Sequence, residues 1–208
     1  EPESPSGADK AGPERWRMAC RAAALCAVDA AGLGGIHVRA RTGPARDKWL
    51  DVLRQAVSPA DLVKTGSGVP DDRLIGGLDL AGTLAAGRPV IEKGLLARAD
   101  GGLLAVANAE TMTRGMAARI AAALDTGTVS LARDGFSMSL PARLGAVLLD
   151  EGDQDDTAPP AVLLDRLAFR IDLGGLSLND IAADHGFAGQ VAPARARLAA
   201  IETQEPII

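Results

Sequence analysis

The chain has 208 residues, 47% of them hydrophobic and 24% charged, with a formal net charge of −5. That length suffices for one α/β domain with a full core, and the negative balance argues against a general polyanion binder. With two Trp, three Phe and no Tyr, the core has to be built from Ala, Leu, Val and Ile, and the exposed rings on which single-stranded nucleic acid stacks are scarce.

No stretch approaches the roughly 20 uncharged apolar residues of a membrane span, and no signal-peptide pattern opens the chain. It starts without Met and ends on Pro-Ile-Ile, which reads as a fragment of something longer. Residues 1–12 are polar, rich in Pro and Gly, and read as a disordered tail. Residues 14–31 form a helix with Trp16, Cys20, Ala23, Ala24 and Ala27 on one stripe, stopped by Gly32. Cys20 and Cys26 lie well apart around that helix, so both read as small buried apolar residues without a disulfide.

Residues 36–39 read as a short strand, and A-R-T-G-P-A-R-D-K follows. A strand, a Gly-containing turn and a helix is the context of a P-loop, G-x-x-x-x-G-K-[ST]. Here Ala40 and Ala45 stand at the two glycines, Arg46 at the lysine and Asp47 at the hydroxyl residue, with Gly43 inside the loop. The two Cβ atoms restrict positive φ and close backbone approach to phosphate. Pro44 removes an N–H from the cradle. Asp47 brings a negative charge to the place of the metal-bound hydroxyl, although a carboxylate in a first helical turn is also favoured by the macrodipole on its own account.

The helix runs on through residues 48–56, and a second strand is expected over 61–65. Residues 71–112 then organise the rest. They give D-R-L-I-G-G-L-D-L, a short helix over 80–86 ended by Gly87, one or two helical turns in K-G-L-L-A-R-A-D, and a buried strand over 103–107. A helix follows over 113–125, then a hairpin over 128–140 turning at Asp134-Gly135, and a fourth core strand over 144–149. After an acidic loop, 151–156, read as solvated, come a short helix over 160–167 and a fifth strand over 169–173. Two weak helical patterns, 178–183 and 192–201, close the chain. His37 and His185 are isolated, and neither has the ligand spacing of a metal site. The fold class is α/β: about five parallel strands flanked by helices, with an inserted β-hairpin.

The order D-R-L-I-G-G-L-D-L, G-L-L-A-R-A, G-G-L-L and strand resembles the middle of the magnesium-chelatase branch of the AAA+ ATPases, and the likeness runs from about residue 34 to 173. Arg133-Asp134-Gly135 resembles the family's E-R-E-G hairpin, Pro141-Ala142-Arg143 its P-A-R-F, and Leu163-Leu164-Asp165-Arg166 its L-L-D-R-F. The departures fall at the nucleotide site. Where the family's third strand ends in the Walker B Asp-Glu, this chain has Ala107 and Asn108. Where the family's fourth strand meets a loop with a phosphate-sensing Asn, this chain reads L-L-D-E-G-D.

Within the family that pattern is similar to the D subunit, whose AAA+ module has lost these motifs. The resemblance implies a P-loop NTPase-like AAA+ core over residues 13–175 with a helical extension, 176–208, at the start of a linker or lid. It implies a non-hydrolysing subunit of a ligase. With the ATPase I subunit, in a hexameric ring, and with a large porphyrin-binding subunit, it would couple ATP hydrolysis to Mg2+ insertion into protoporphyrin IX on the way to chlorophyll or bacteriochlorophyll. The complex would use ATP and Mg2+, this chain binding no cofactor or metal itself, in the cytoplasm or in a plastid stroma. The matching position makes Arg166 a trans-acting arginine finger, against the plainer role of pairing with Asp165 or capping its helix. Two other readings stay open: an active NTPase in which Arg46 replaces the lysine and Asp47 binds the metal, and a structural scaffold of another complex.

Overall fold

A computed structural model describes residues 7–58, 60, 62–88, 90–133, 136–152, 158–181 and 186–202. Helix α1 (Gly7–Val28) begins ahead of the expected start, so residues 7–12 of the anticipated tail are helical, and residues 1–6 lie outside the described residues. Pro13 leaves one ladder bond unmade inside it, while Ala11 and Glu14 on either side are good helix formers. Then come β1 (Gly35–Arg39), α2 (Pro44–Val57), β2 (Leu62–Gly66), α3 (Asp71–Ile75), β3 (Gly76–Leu78), α4 (Leu80–Ala86), β4 (Ile91–Lys93), α5 (Leu95–Arg98) and β5 (Leu103–Ala107). A 3-10 turn, Ala109–Thr111, leads to α6 (Arg114–Thr126), β6 (Thr128–Arg133), β7 (Phe136–Pro141), β8 (Gly145–Asp150), α7 (Ala161–Leu164), β9 (Phe169–Asp172) and α8 (Ala188–Glu202).

Five strands form one sheet in the order β2-β5-β8-β1-β9, every neighbouring pair parallel. Parallel strands covered on both faces alternate between two cores, and β5 and β8 do so. Leu103, Ala105, Val147 and Leu149 pack with Trp16, Trp49 and Leu53 of α1 and α2. Leu104, Val106, Ala146 and Leu148 pack with Leu96 of α5, Met116 and Ile120 of α6 and Leu163 of α7. Trp49 is fully buried, and its indole N–H donates to the Ala19 carbonyl at 2.9 Å, locking α2 onto α1.

Two short ribbons stand outside the sheet. β6 and β7 form the expected antiparallel hairpin, whose turn at Asp134-Gly135 lies outside the described residues. The other, β3 with β4, brackets the exposed α4, and neither it nor α3 is signalled by a pattern in the sequence. Residues beyond 175 are part of the packing: Ile181 and Val191 are buried in the core of α1 and α2.

Candidate functional site

The C-terminal ends of β1, β8 and β9 lie side by side, the place where open parallel sheets put their binding crevice. β1 is set there by two glycines. A Cβ on Gly34 (φ 67°) would meet the Arg166 carbonyl oxygen at 2.0 Å, and one on Gly35 (φ 133°) the Ala146 carbonyl oxygen at 1.8 Å. Beyond β1 the amide of Ala40 still donates to the Asp150 carbonyl at 2.9 Å, so the loop begins tied to β8. Gly43 is the residue before the helix and Pro44 its first position, which suits a proline because that N–H has no helical partner. A cavity of about 530 Å³ opens here. Ala40, Gly43, Ala45 and Arg46 of the loop line it, facing Asp150 at the end of β8 with Glu151 and Gly152 beyond it, and Asp172 at the end of β9 with Leu173 and Leu176 beyond it.

The carboxylate inside this cavity is not Asp47. Asp47 is exposed in the first turn of α2 and does not line it, because the helix turns that side chain away. The acid that reaches the loop is Glu151, the first residue of the acidic loop, which is engaged here and not solvated as the sequence suggests. Its carboxylate accepts from Arg46 Nη1, and the Thr42 hydroxyl donates to its two oxygens at 3.3 and 3.2 Å. Arg46 Nη2 donates to the Thr42 hydroxyl at 2.9 Å, closing a triangle of three side chains. The Arg46 guanidinium holds the Glu151 carboxyl below the usual glutamate range, with Thr42 adding to the effect. Residues 153–157 of that loop lie outside the described residues.

Behind the triangle, Glu110 accepts the backbone N–H of Glu151 at 3.2 Å. Asp150, buried, has His37 Nε2 at 2.9 Å from Oδ2 and accepts the Gly152 N–H on Oδ1 at 2.8 Å. His37 therefore has a structural partner on the neighbouring strand, while His185 lies outside the described residues. Among the described residues no group of three or more His, Cys, Asp or Glu side chains could hold a metal ion, and no helix is long and apolar enough to cross a membrane. Glu151 is thus not a solvated loop residue, and Glu110 carries no motif signal in the sequence. The one signal for Glu151 was its place at the strand end where the family keeps its sensing loop.

The end of β5 is beside this cavity but outside its lining. Ala107 is half-buried and Asn108 exposed, with Asn108 in the left-handed region (φ 53°), the one non-glycine with positive φ among the described residues. An Asn tolerates that conformation. Neither residue brings a carboxylate to the crevice.

Arg166 lies elsewhere. α7 ends at Leu164, earlier than the expected helix over 160–167, and Arg166 falls in the turn after it, before β9 starts at Phe169. It is therefore at the N-terminal ends of the parallel strands, the opposite end of the sheet from the cavity. Its partner is not Asp165 but Asp125 of α6: Nε donates to Oδ1 at 2.7 Å and Nη2 to Oδ2 at 2.6 Å, while Nη1 donates to the Val162 carbonyl at 2.6 Å.

No family model matches the chain. It is 39% identical over 191 residues to the magnesium-chelatase 60 kDa subunit of Cereibacter sphaeroides, covering 90% of this chain and 30% of that protein. It is 36% identical over 152 residues to the magnesium-chelatase 60 kDa subunit of Rhodobacter capsulatus, covering 73% of this chain and 24% of that protein. The chain thus spans less than a third of the length of these curated relatives. A solved structure, a model of the complex between subunits BchI and BchD of magnesium chelatase, superposes with a TM-score of 0.59 at 21% identity, over 89% of this chain and 70% of that one, a likeness of fold.

Proposed function

The chain belongs to the magnesium-chelatase family, as an AAA+ module of its D subunits, and we propose that it serves there as a non-hydrolysing partner of the ATPase I subunit. In this reading it joins a ring with that subunit, works with the large porphyrin-binding subunit, and helps couple ATP hydrolysis to Mg2+ insertion into protoporphyrin IX. What carries the reading is the end of β5. Ala107 and Asn108 leave the crevice without the carboxylates that would hold magnesium and orient water, so both positioning and charge stabilisation of phosphoryl transfer are missing.

Two measurements test it together. The purified chain should show no steady-state ATP turnover, and it should retain the I subunit in a pull-down with ATP and magnesium present. Turnover that survives rigorous purification and disappears on Arg46→Ala would establish instead an active NTPase with an unorthodox site. Failure to retain the I subunit, with and without nucleotide, would leave a scaffold of another assembly.

A further inference from the structure

The loop after β1 still presents an arginine to the cavity, and that arginine is already engaged. Only 13% of the Arg46 side chain is exposed. One terminal nitrogen is on Glu151, the other on Thr42, and Nε is buried without a hydrogen-bond partner. A guanidinium fork accepts a carboxylate or a phosphoryl group by the same geometry, and Thr42 likewise donates to any oxyanion placed where the Glu151 oxygens are. We propose that Glu151 determines the specificity of this cavity: its carboxylate occupies the oxyanion position on Arg46 and Thr42 and thereby excludes phosphoanions that the remaining cavity would accept.

The rest of the site supports this. The cavity, about 530 Å³, is within the range of small-molecule sites, about 300–1,000 Å³. Among the described residues its lining includes Arg46 and Thr42's partner Glu151, with Asp150 beside them. Asp150 is engaged by His37 and by the Gly152 amide, so it does not replace Glu151 on Arg46. The plug is held from behind as well, since Glu110 accepts the Glu151 backbone N–H and Asp150, the preceding residue, is fixed in β8. In this reading Glu151 acts on phosphoanion binding, beside the restrictions that Ala40, Pro44 and Ala45 place on the loop, and the end of β5 acts on hydrolysis.

The test is isothermal titration of the chain with inorganic pyrophosphate and with ATP, magnesium present, for wild type, Glu151→Ala, Glu151→Gln and Glu151→Ala combined with Arg46→Ala. Thermal melts verify that each variant is folded, and the near-isosteric Gln variant keeps the test alive should the Ala variant fail to fold. Wild type should give no binding heat at millimolar ligand. The neutralised variants should bind both ligands at least about tenfold more tightly, and the added Arg46→Ala should remove the gain. Wild type binding as tightly as the Glu151 variants, folded Glu151 variants binding no better than wild type, or a gain that survives Arg46→Ala would each overturn the proposal. If a Glu151 variant binds and also hydrolyses ATP, the non-hydrolysing reading fails while this one stands.

Discussion

The fork that Arg166 makes with Asp125 has a consequence that can be titrated. Two parallel hydrogen bonds from the guanidinium hold the Asp125 carboxyl below its usual range. A carboxyl whose folded pKa is depressed contributes stability that is fully present above its unfolded value, about 3.9, and lost as pH falls through the folded value. Wild type should therefore lose urea resistance on acidification below the ordinary aspartate range, and Arg166→Ala should lose less over the same window. The pair is exposed, so the difference is small, and parallel curves for the two proteins would remove Asp125–Arg166 from the account. At this scale the sequence marks one half of each pair. Arg46 and Arg166 stand at motif positions, whereas their partners, Glu151 and Asp125, lie 105 and 41 positions away. A charge pair at that distance leaves no local pattern. Asp47 takes the other place the sequence offers it, an exposed carboxylate in the first turn of α2, where the macrodipole favours it, outside the cavity lining.

Among the elements, those with length and burial are the ones legible in the chain. β5 and β8 are apolar runs that begin at glycines, β1 alternates Ile36 and Val38 with polar residues after Gly34-Gly35, and α2 and α6 carry apolar stripes ended by Ser58 and Gly127. β3 and β4 have three residues each and α3 has five, too few for any period to show. α8 was legible only as a weak pattern, and its attachment was not. Arg195 donates through Nε to the Ala27 carbonyl and through Nη2 to the Val57 carbonyl at 3.1 Å. Those carbonyls belong to the last turns of α1 and α2, beyond the reach of the helical ladder, and the Val57 carbonyl also accepts the Ala60 N–H at 3.0 Å. One side chain of α8 thus caps two helices at once. Arg195→Ala should lower stability by about 1–3 kcal/mol and speed amide hydrogen exchange in α8 first. Unchanged exchange in α8 would mean that burial of Val191, rather than Arg195, holds the helix in place.

At the scale of the whole molecule, the cavity and Arg166 are at opposite ends of one parallel sheet, so Arg166 cannot serve its own cavity. A role as an arginine finger would require a neighbouring subunit and release from Asp125. Arg166→Ala and Arg166→Lys should both stay folded and both lower ATP-dependent chelation in the assembled complex, the lysine because it lacks the planar fork. The effect should vanish without the I subunit. Wild-type chelation and ATPase rates for both variants would assign Arg166 to holding α6 against α7. The separation of the two ends also gives the subunit a direction. Contacts that join one end of a copy to the other end of the next are head-to-tail and build rings without two-fold faces. In a mixed ring of the proposed kind, the junction to which this chain lends Arg166 can fire, whereas the junction on its other side meets a plugged crevice and stays silent. Each copy inserted would then break the circle into arcs, and the number of firing junctions would follow the composition of the ring, not its size.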